Sequence, residues 1–97
     1  MTEALKQFCQ KTVNMPARDL ALIDIYFTPV KLRKKACLWK EGDICRFIGF
    51  VSKGAIHHFF CKEGEEKTCG ISLENAFFTD YDSFYNYLPT ISNAQSL

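Results

Sequence analysis

Short runs of aromatic and branched residues, separated by turns that contain glycine, occupy the middle of the sequence. The runs cover residues 36–40, 46–51, 55–61 and 67–73. The turns between them contain Gly42, Gly54 and Gly64, and glycine suits tight reversals because it adopts a positive φ without steric cost. Short strands at this spacing are typical of a β-sandwich or barrel. The pattern therefore predicts a mainly β fold in which the three glycines lie in turns.

Two helices are predicted before these strands. Near the N-terminus, Leu5, Phe8 and Cys9 have the spacing of one face of a helix. A second helical pattern begins at Pro16, and the first turn of a helix tolerates proline. Both patterns lie within residues 1–25, which we interpret as a helical lead-in to the β part of the chain.

Two further segments are assigned from their local patterns. Residues 27–32 alternate with a period of two, so we expect a strand there, and Pro29 makes it an edge strand or a bulged one because proline has no N–H. Tyr81 and Tyr85 are separated by one helical turn, which predicts a short helix within residues 80–88. The remainder of the chain returns to an extended pattern.

The size and charge of the chain limit its classes of function. A length of 97 residues allows one domain with one modest core. Lys and Arg number 12 and Asp and Glu 11, and a net charge of +1 argues against a surface devoted to nucleic acid or membrane. The sequence lacks both an apolar stretch long enough to span a membrane and the apolar run of a signal peptide. We therefore expect a single cytoplasmic domain over residues 1–97.

The cysteines and histidines form no recognisable catalytic or metal-binding pattern. The five cysteines are odd in number and no pair has the CxxC spacing, so we expect free thiols. His57 and His58 are the only histidines, and as neighbours on a strand they face opposite sides of the sheet. Two such histidines do not converge on one metal ion. The sequence therefore predicts no enzyme activity, no catalytic residue, no metal and no cofactor.

The ordered set of turns and strands resembles the effector domain of the Crp/Fnr family of bacterial transcription regulators. The match lies within residues 23–97, and its motifs are WKEGD at 39–43, FIGFVSKG at 47–54 and EGEEK at 63–67. The resemblance implies a jelly roll, or double-stranded β-helix, of the cyclic-nucleotide-binding type. It also implies helices before the roll and a short helix at the ligand site.

In that family a long dimerisation helix and a helix-turn-helix follow the jelly roll, and neither pattern occurs in this sequence. The resemblance implies that residues 26–97 are an incomplete roll without direct DNA binding, and that the intact regulator is a homodimer. An incomplete roll leaves a strand edge unpaired, and unpaired edges promote association. We therefore expect the 97-residue chain to be marginally stable and to self-associate.

The resemblance also implies the position of an effector site. The family binds a cyclic phosphate with a Gly-Glu pair at the start of a short helix and with an arginine that usually precedes a small hydroxyl residue. Here Asp80 stands for the glutamate and Ser92 for the hydroxyl residue. Thr79 replaces the glycine, and Thr90-Ile91 takes the place of the arginine. The candidate effector-binding residues are therefore Thr79, Asp80, Tyr81, Ser83, Thr90, Ile91 and Ser92.

The charge of this segment indicates which effectors it rejects. The last basic residue of the sequence is Lys67, whereas Asp80 and Asp82 follow it. Negative charge beside a phosphate lowers affinity, so we expect cyclic AMP and cyclic GMP to bind weakly or not at all. The favoured function is a sensory domain in which a small-molecule effector shifts the short helix. The alternatives are a stand-alone ligand-binding jelly roll and a cupin-like metal-dependent enzyme.

Overall fold

A computed structural model of the protein describes residues 2–97. The chain divides into two compact units, one ending at Lys31 and the other running from Leu32 to Leu97. The first unit contains two helices, α1 (Glu3–Val13) and α2 (Ala17–Tyr26). Both helices were predicted from the sequence, and both predictions are confirmed.

The two helices contact each other through buried apolar residues and one polar cluster. Leu5 of α1 and Ile23 of α2 are buried. The Lys6 ammonium lies 2.5 Å from a carboxylate oxygen of Asp24, and the Thr2 hydroxyl donates a hydrogen bond to the same carboxylate. Hydrogen bonding to Lys6 and Thr2 lowers the pKa of Asp24, so this carboxylate remains charged.

The strand expected over residues 27–32 is absent, and that prediction was wrong. The segment belongs to no helix or strand, and Phe27, Val30 and Leu32 are exposed. Period-two alternation produces a strand only where another strand accepts its hydrogen bonds. Pro29 removes one donor from this short segment, and no described strand pairs with it.

The second unit consists of six strands and one short helix. In chain order the elements are β1 (Cys37–Trp39), β2 (Gly49–Phe50), β3 (Ile56–Lys62), β4 (Glu65–Ser72), β5 (Phe77–Phe78), α3 (Tyr81–Asn86) and β6 (Asn93–Ser96). Strands β1, β6, β3 and β4 form one sheet in that order, and β2 pairs with β5 in a second. Every pairing is antiparallel.

Most of the predicted strands and turns are present. The turn glycines have φ angles of 95° at Gly42, 93° at Gly54 and 80° at Gly64, which confirms their role in reversals. The strand expected over residues 46–51 is reduced to the two residues of β2. Residues 46–48 belong to no strand, and the Phe47 carbonyl among them accepts a hydrogen bond from the Thr79 hydroxyl.

The C-terminal strand lies inside its sheet. Strand β6 pairs with β1 on one side and with β3 on the other, so β1 and β4 are the edges of the four-stranded sheet. Ala94 of β6 is fully buried, whereas Ile91 and Leu97 on either side of the strand are exposed. The marginal stability and self-association expected for this chain remain predictions.

The core of the second unit lies around a single tryptophan. Trp39, Phe78, Cys45, Val51, Ile56 and Ala94 form its buried cluster. The Trp39 ring centroid lies 5.9 Å from that of His58 and 6.1 Å from that of Phe78. Phe78 in turn crosses directly over Gly49, its partner in the β2–β5 pair. The space between the two sheets is therefore occupied by aromatic side chains.

Two chain-wide properties complete the description of residues 2–97. Each of the five cysteines is a free thiol, and only Cys45 is buried. No helix in this part of the chain combines the length and apolar character needed to cross a membrane.

Candidate functional site

The helix α3 begins at a side chain that was predicted as a site residue. Asp80 is the N-cap, with extended backbone, and its carboxylate accepts a hydrogen bond of 3.1 Å from the backbone N–H of Ser83. This contact satisfies one of the N–H groups that every helix start leaves without an intrahelical partner. Tyr81 is 65% exposed and its ring stacks on Tyr85. Asp80 thus has a structural role as the N-cap of α3, and its role in effector binding remains a prediction.

Two hydroxyl groups attach α3 to the β1–β2 loop, which we define as residues 40–48. The Ser83 side chain is buried, and its oxygen accepts a 2.7 Å hydrogen bond from the Cys45 N–H. The Thr79 hydroxyl donates a 2.8 Å hydrogen bond to the Phe47 carbonyl. The Cys45 thiol lies 3.5 Å from the Thr79 oxygen and completes this contact. The start of α3 and the β1–β2 loop are therefore held together by polar groups that have few alternative partners.

Thr90 is bound to the other end of the same loop. Its hydroxyl donates to the Lys40 carbonyl at 2.9 Å and its N–H donates to the Asp43 carbonyl at 2.8 Å. Its own carbonyl accepts a 2.8 Å hydrogen bond from the Gly42 N–H. With three such bonds and a side chain only 3% exposed, Thr90 fixes the turn at Gly42. An arginine at this position would lose the hydroxyl bond to Lys40 and place a longer, charged side chain in a buried position.

The last two candidate residues lie in the bend before β6. Ile91 is 80% exposed, and Ser92 is half-buried. The structure therefore brings Thr79, Ser83 and Thr90 together along the β1–β2 loop, and it leaves Ile91 in solvent. The role of this segment in effector binding remains a prediction, and sequence analysis did not identify the loop that binds it.

Two residues of the β1–β2 region were missed as site candidates. Trp39 and Arg46 both line a pocket of about 440 Å³. The rest of the lining comes from Leu38 and from other residues of the segment 43–47. The indole Nε1 of Trp39 is buried without a hydrogen-bond partner. No sequence motif marks this pocket, because it depends on how the loop is folded against α3.

The two histidines lie on opposite faces of β3. The His57 ring stacks on Phe59 and its Nε2 lies 2.8 Å from the Thr68 hydroxyl. The His58 ring contacts Trp39 and Phe78 in the core, and its Nε2 lies 2.8 Å from the Ser72 hydroxyl. Burial lowers the pKa of His58, and the neighbouring charge of His57 lowers it further.

The same residues supply no cluster of metal ligands. Within residues 2–97, no three side chains of His, Cys, Asp or Glu approach one another closely enough to hold an ion. The cupin-like alternative requires such a cluster, so no observation in the described chain favours it.

Neither a model of a known protein family nor the sequence of a curated protein matches this chain. Solved structures do match it. The regulatory domain of Toxoplasma gondii PKA, crystallised with cAMP, superposes with a TM-score of 0.78 and 20% identity over 99% of this chain and 38% of that one.

Two bacterial structures are similar to a comparable degree. The sensor domain of the transcriptional regulator DNR from Pseudomonas aeruginosa has a TM-score of 0.76 and 19% identity, covering 99% of this chain and 68% of that one. The Thermus thermophilus Catabolite Activator Protein has a TM-score of 0.71 and 17% identity, covering 84% and 38%. The chain thus spans well under half of two of these three proteins. The predicted fold, a jelly roll of the cyclic-nucleotide-binding type, is confirmed.

Proposed function

We propose that the chain is the effector-sensing domain of a Crp/Fnr-like bacterial transcription regulator that does not respond to cyclic AMP. In this proposal the domain has no catalytic activity, does not contact DNA itself and works in the cytoplasm within a homodimeric regulator. The fold similarity to a sensor domain and to a catabolite activator supports the class of function. The residues around α3 support the mechanism.

The observation that carries the proposal is the set of hydrogen bonds between α3 and the β1–β2 loop. Ser83 and Thr79 bind the loop at one end, and Thr90 binds it at the other. A ligand that displaces the loop changes the position of α3, because the buried backbone N–H of Cys45 loses its hydrogen bond to Ser83 unless Ser83 follows. Differential binding to two positions of α3 is sufficient for a regulatory switch.

The rejection of cyclic AMP follows from charge. Residues 79–97 contain no Lys or Arg, and they contain the carboxylates of Asp80 and Asp82. The position that corresponds to the family's arginine is held by Thr90, whose hydroxyl is already bound to Lys40, and by the exposed Ile91. A cyclic phosphate placed there has no cation to pair with.

Calorimetry with cyclic AMP tests this point. We expect no measurable heat with the unaltered chain and with Ile91→Gln, a control that adds polarity without charge. Ile91→Arg restores a guanidinium at an exposed position, and a charge-assisted hydrogen bond of about 1.5–3 kcal/mol predicts an affinity at least tenfold higher. A micromolar dissociation constant for the unaltered chain, equivalent to about 8 kcal/mol, would contradict the proposal.

The encoding DNA tests the regulator assignment separately. We expect the reading frame to continue beyond codon 97 into a long helix and a helix-turn-helix pattern. A stop codon at that position would instead favour the stand-alone ligand-binding module.

A further inference from the structure

We propose that the pocket on the β1–β2 loop binds a small organic carboxylate with an aromatic or branched body. Arg46 would contact the carboxylate and Trp39 the body of the ligand. The inference rests on the proposed function, because it names the class of effector that the sensory domain detects. The proposed effector site lies outside the segment 79–92, and the sequence patterns did not identify its residues.

The lining of the pocket combines large apolar side chains with polar groups to a similar extent. Leu38, Trp39, Ile44 and Phe47 contribute aliphatic or aromatic side chains. The rings of Trp39 and Phe47 lie edge to face, with centroids 5.7 Å apart. The volume of about 440 Å³ falls within the usual range for sites that bind small organic molecules. A ligand that fits this lining has a compact apolar body.

The two charged residues that line the pocket, Asp43 and Arg46, differ in whether they are free to bind a ligand. The Asp43 carboxylate accepts a 2.9 Å hydrogen bond from the Lys40 N–H and belongs to the turn at Gly42. Arg46 is exposed and forms no ion pair within residues 2–97, where the paired cations are Lys6, Arg18 and Lys67. A guanidinium presents a planar fork of donors that matches a carboxylate. Arg46 is therefore the group that selects the charge of the ligand.

The buried indole N–H gives a second, independent indication of a ligand. Trp39 is 3% exposed and its Nε1 has no acceptor, although buried donors are nearly always paired. A carboxylate has two oxygens with several acceptor positions, more than Arg46 alone uses. Trp39 lines the pocket, so a ligand oxygen that reached Nε1 would supply the missing acceptor. This unpaired donor favours an acceptor-bearing ligand over a hydrocarbon.

The same groups discriminate against phosphate. The Asp43 carboxylate also lines the pocket, and its negative charge opposes a doubly charged anion more strongly than a singly charged one. A single guanidinium balances one negative charge. The ligand class is therefore a monocarboxylate.

Binding at this pocket is coupled to α3. Cys45 and Phe47 line the pocket, and their backbone groups bind Ser83 and Thr79. A ligand that moves the β1–β2 loop toward the pocket strains the hydrogen bonds to Ser83 and Thr79 at the same time. An effector bound in the pocket therefore acts on the start of α3 through these hydrogen bonds and without direct contact.

The experiment uses the single tryptophan as its reporter. The 97-residue chain is titrated with benzoate, with its neutral isostere benzamide and with inorganic phosphate, and Trp39 emission is recorded. We expect benzoate to cause a saturable change, and benzamide and phosphate to bind at least about tenfold more weakly. Arg46→Gln should weaken benzoate about tenfold without changing benzamide. Arg33→Gln, the same substitution at an exposed arginine outside the pocket, should change neither.

Four results would overturn the inference. They are the absence of a saturable change up to about 50 mM benzoate, equal affinity for benzamide, tighter binding of phosphate, and an equal loss in Arg46→Gln and Arg33→Gln. Each leaves the regulator assignment to be decided by the DNA beyond codon 97. Conversely, a stop codon at that position leaves the carboxylate pocket intact as a binding site.

Discussion

The β3–β4 hairpin and the assembly of α3 with the β1–β2 loop are built in different ways. The hairpin pairs residues that are close in sequence, from Lys62 with Glu65 to Ile56 with Ser72, and most of β4 is exposed. The α3 assembly joins residues that are far apart, such as Cys45 with Ser83, which are 38 positions apart, and Lys40 with Thr90, which are 50 apart.

The difference predicts where the chain tolerates substitution. Backbone hydrogen bonds hold the hairpin, so its exposed side chains are replaceable with little effect on stability. In the α3 assembly, the Ser83 side chain is the hydrogen-bond partner of the buried Cys45 N–H, and its removal would leave that N–H unpaired. Two pairs of substitutions test this contrast, each with one member in or beside the α3 assembly and one in the hairpin, and a third pair compares the two faces of β3.

The largest effect is expected at the two strand glycines. A Cβ on Gly49 would lie 2.3 Å from a ring atom of Phe78, whereas a Cβ on Gly70 of β4 would meet no atom within 4 Å. The Phe78 ring is confined by Trp39 and His58, so it cannot move aside. We expect Gly49→Ala to lower the free energy of unfolding by about 2–3 kcal/mol.

Gly70→Ala is the matched control. It should leave stability unchanged or raise it by up to about 1 kcal/mol, because alanine loses less backbone entropy than glycine. Urea unfolding followed by Trp39 fluorescence measures both variants. Equal destabilisation of the two would contradict the close packing of Phe78 on Gly49.

A smaller effect is expected from removing a hydroxyl group. Ser83→Ala leaves the buried Cys45 N–H unpaired, and we expect a loss of about 1–2 kcal/mol. Thr68→Val removes a hydroxyl that contacts His57 on the exposed hairpin, and we expect a change within about 0.5 kcal/mol. Hydrogen exchange at the Cys45 amide provides a direct readout, since it should accelerate in Ser83→Ala only. An unchanged exchange rate would show that this hydrogen bond does not hold the loop.

The smallest effect concerns the two histidines. Burial lowers the pKa of His58 below that of an unfolded histidine, near 6.5, so the folded chain favours the neutral ring. The unfolded state then binds more protons than the folded state in the window below about pH 6.5. Stability should therefore be complete above that pH and decrease as the pH falls through the window.

Urea unfolding at pH 7.5 and pH 5.5 measures this dependence. His58→Gln should reduce the difference between the two pH values, and His57→Gln, on the other face of β3, should retain most of it. A pH dependence that disappears in His57→Gln and persists in His58→Gln would show that His57 causes it. That result would contradict the prediction for His58.

Local patterns were sufficient for the elements whose contacts are local. The helical spacing of Leu5, Phe8 and Cys9 predicted α1, and the alternation around Gly64 predicted the hairpin. The resemblance to the Crp/Fnr family added the jelly-roll architecture of the cyclic-nucleotide-binding type. The strand expected at residues 27–32 shows the limit, because alternation specifies a strand only when a partner strand is present.

The sequence by itself determined the two N-terminal helices and the turn glycines, because each depends on neighbours within a few residues. The absence of a cation after Lys67 is read directly from the sequence. Only the tertiary structure decided that Ser83 and Thr90 bind the β1–β2 loop. It alone also placed Arg46 and Trp39, whose indole N–H is unpaired, in the lining of one pocket. The physical reason is that buried polar groups take whichever partner the folded chain brings within hydrogen-bond distance, and no local pattern encodes a partner many positions away.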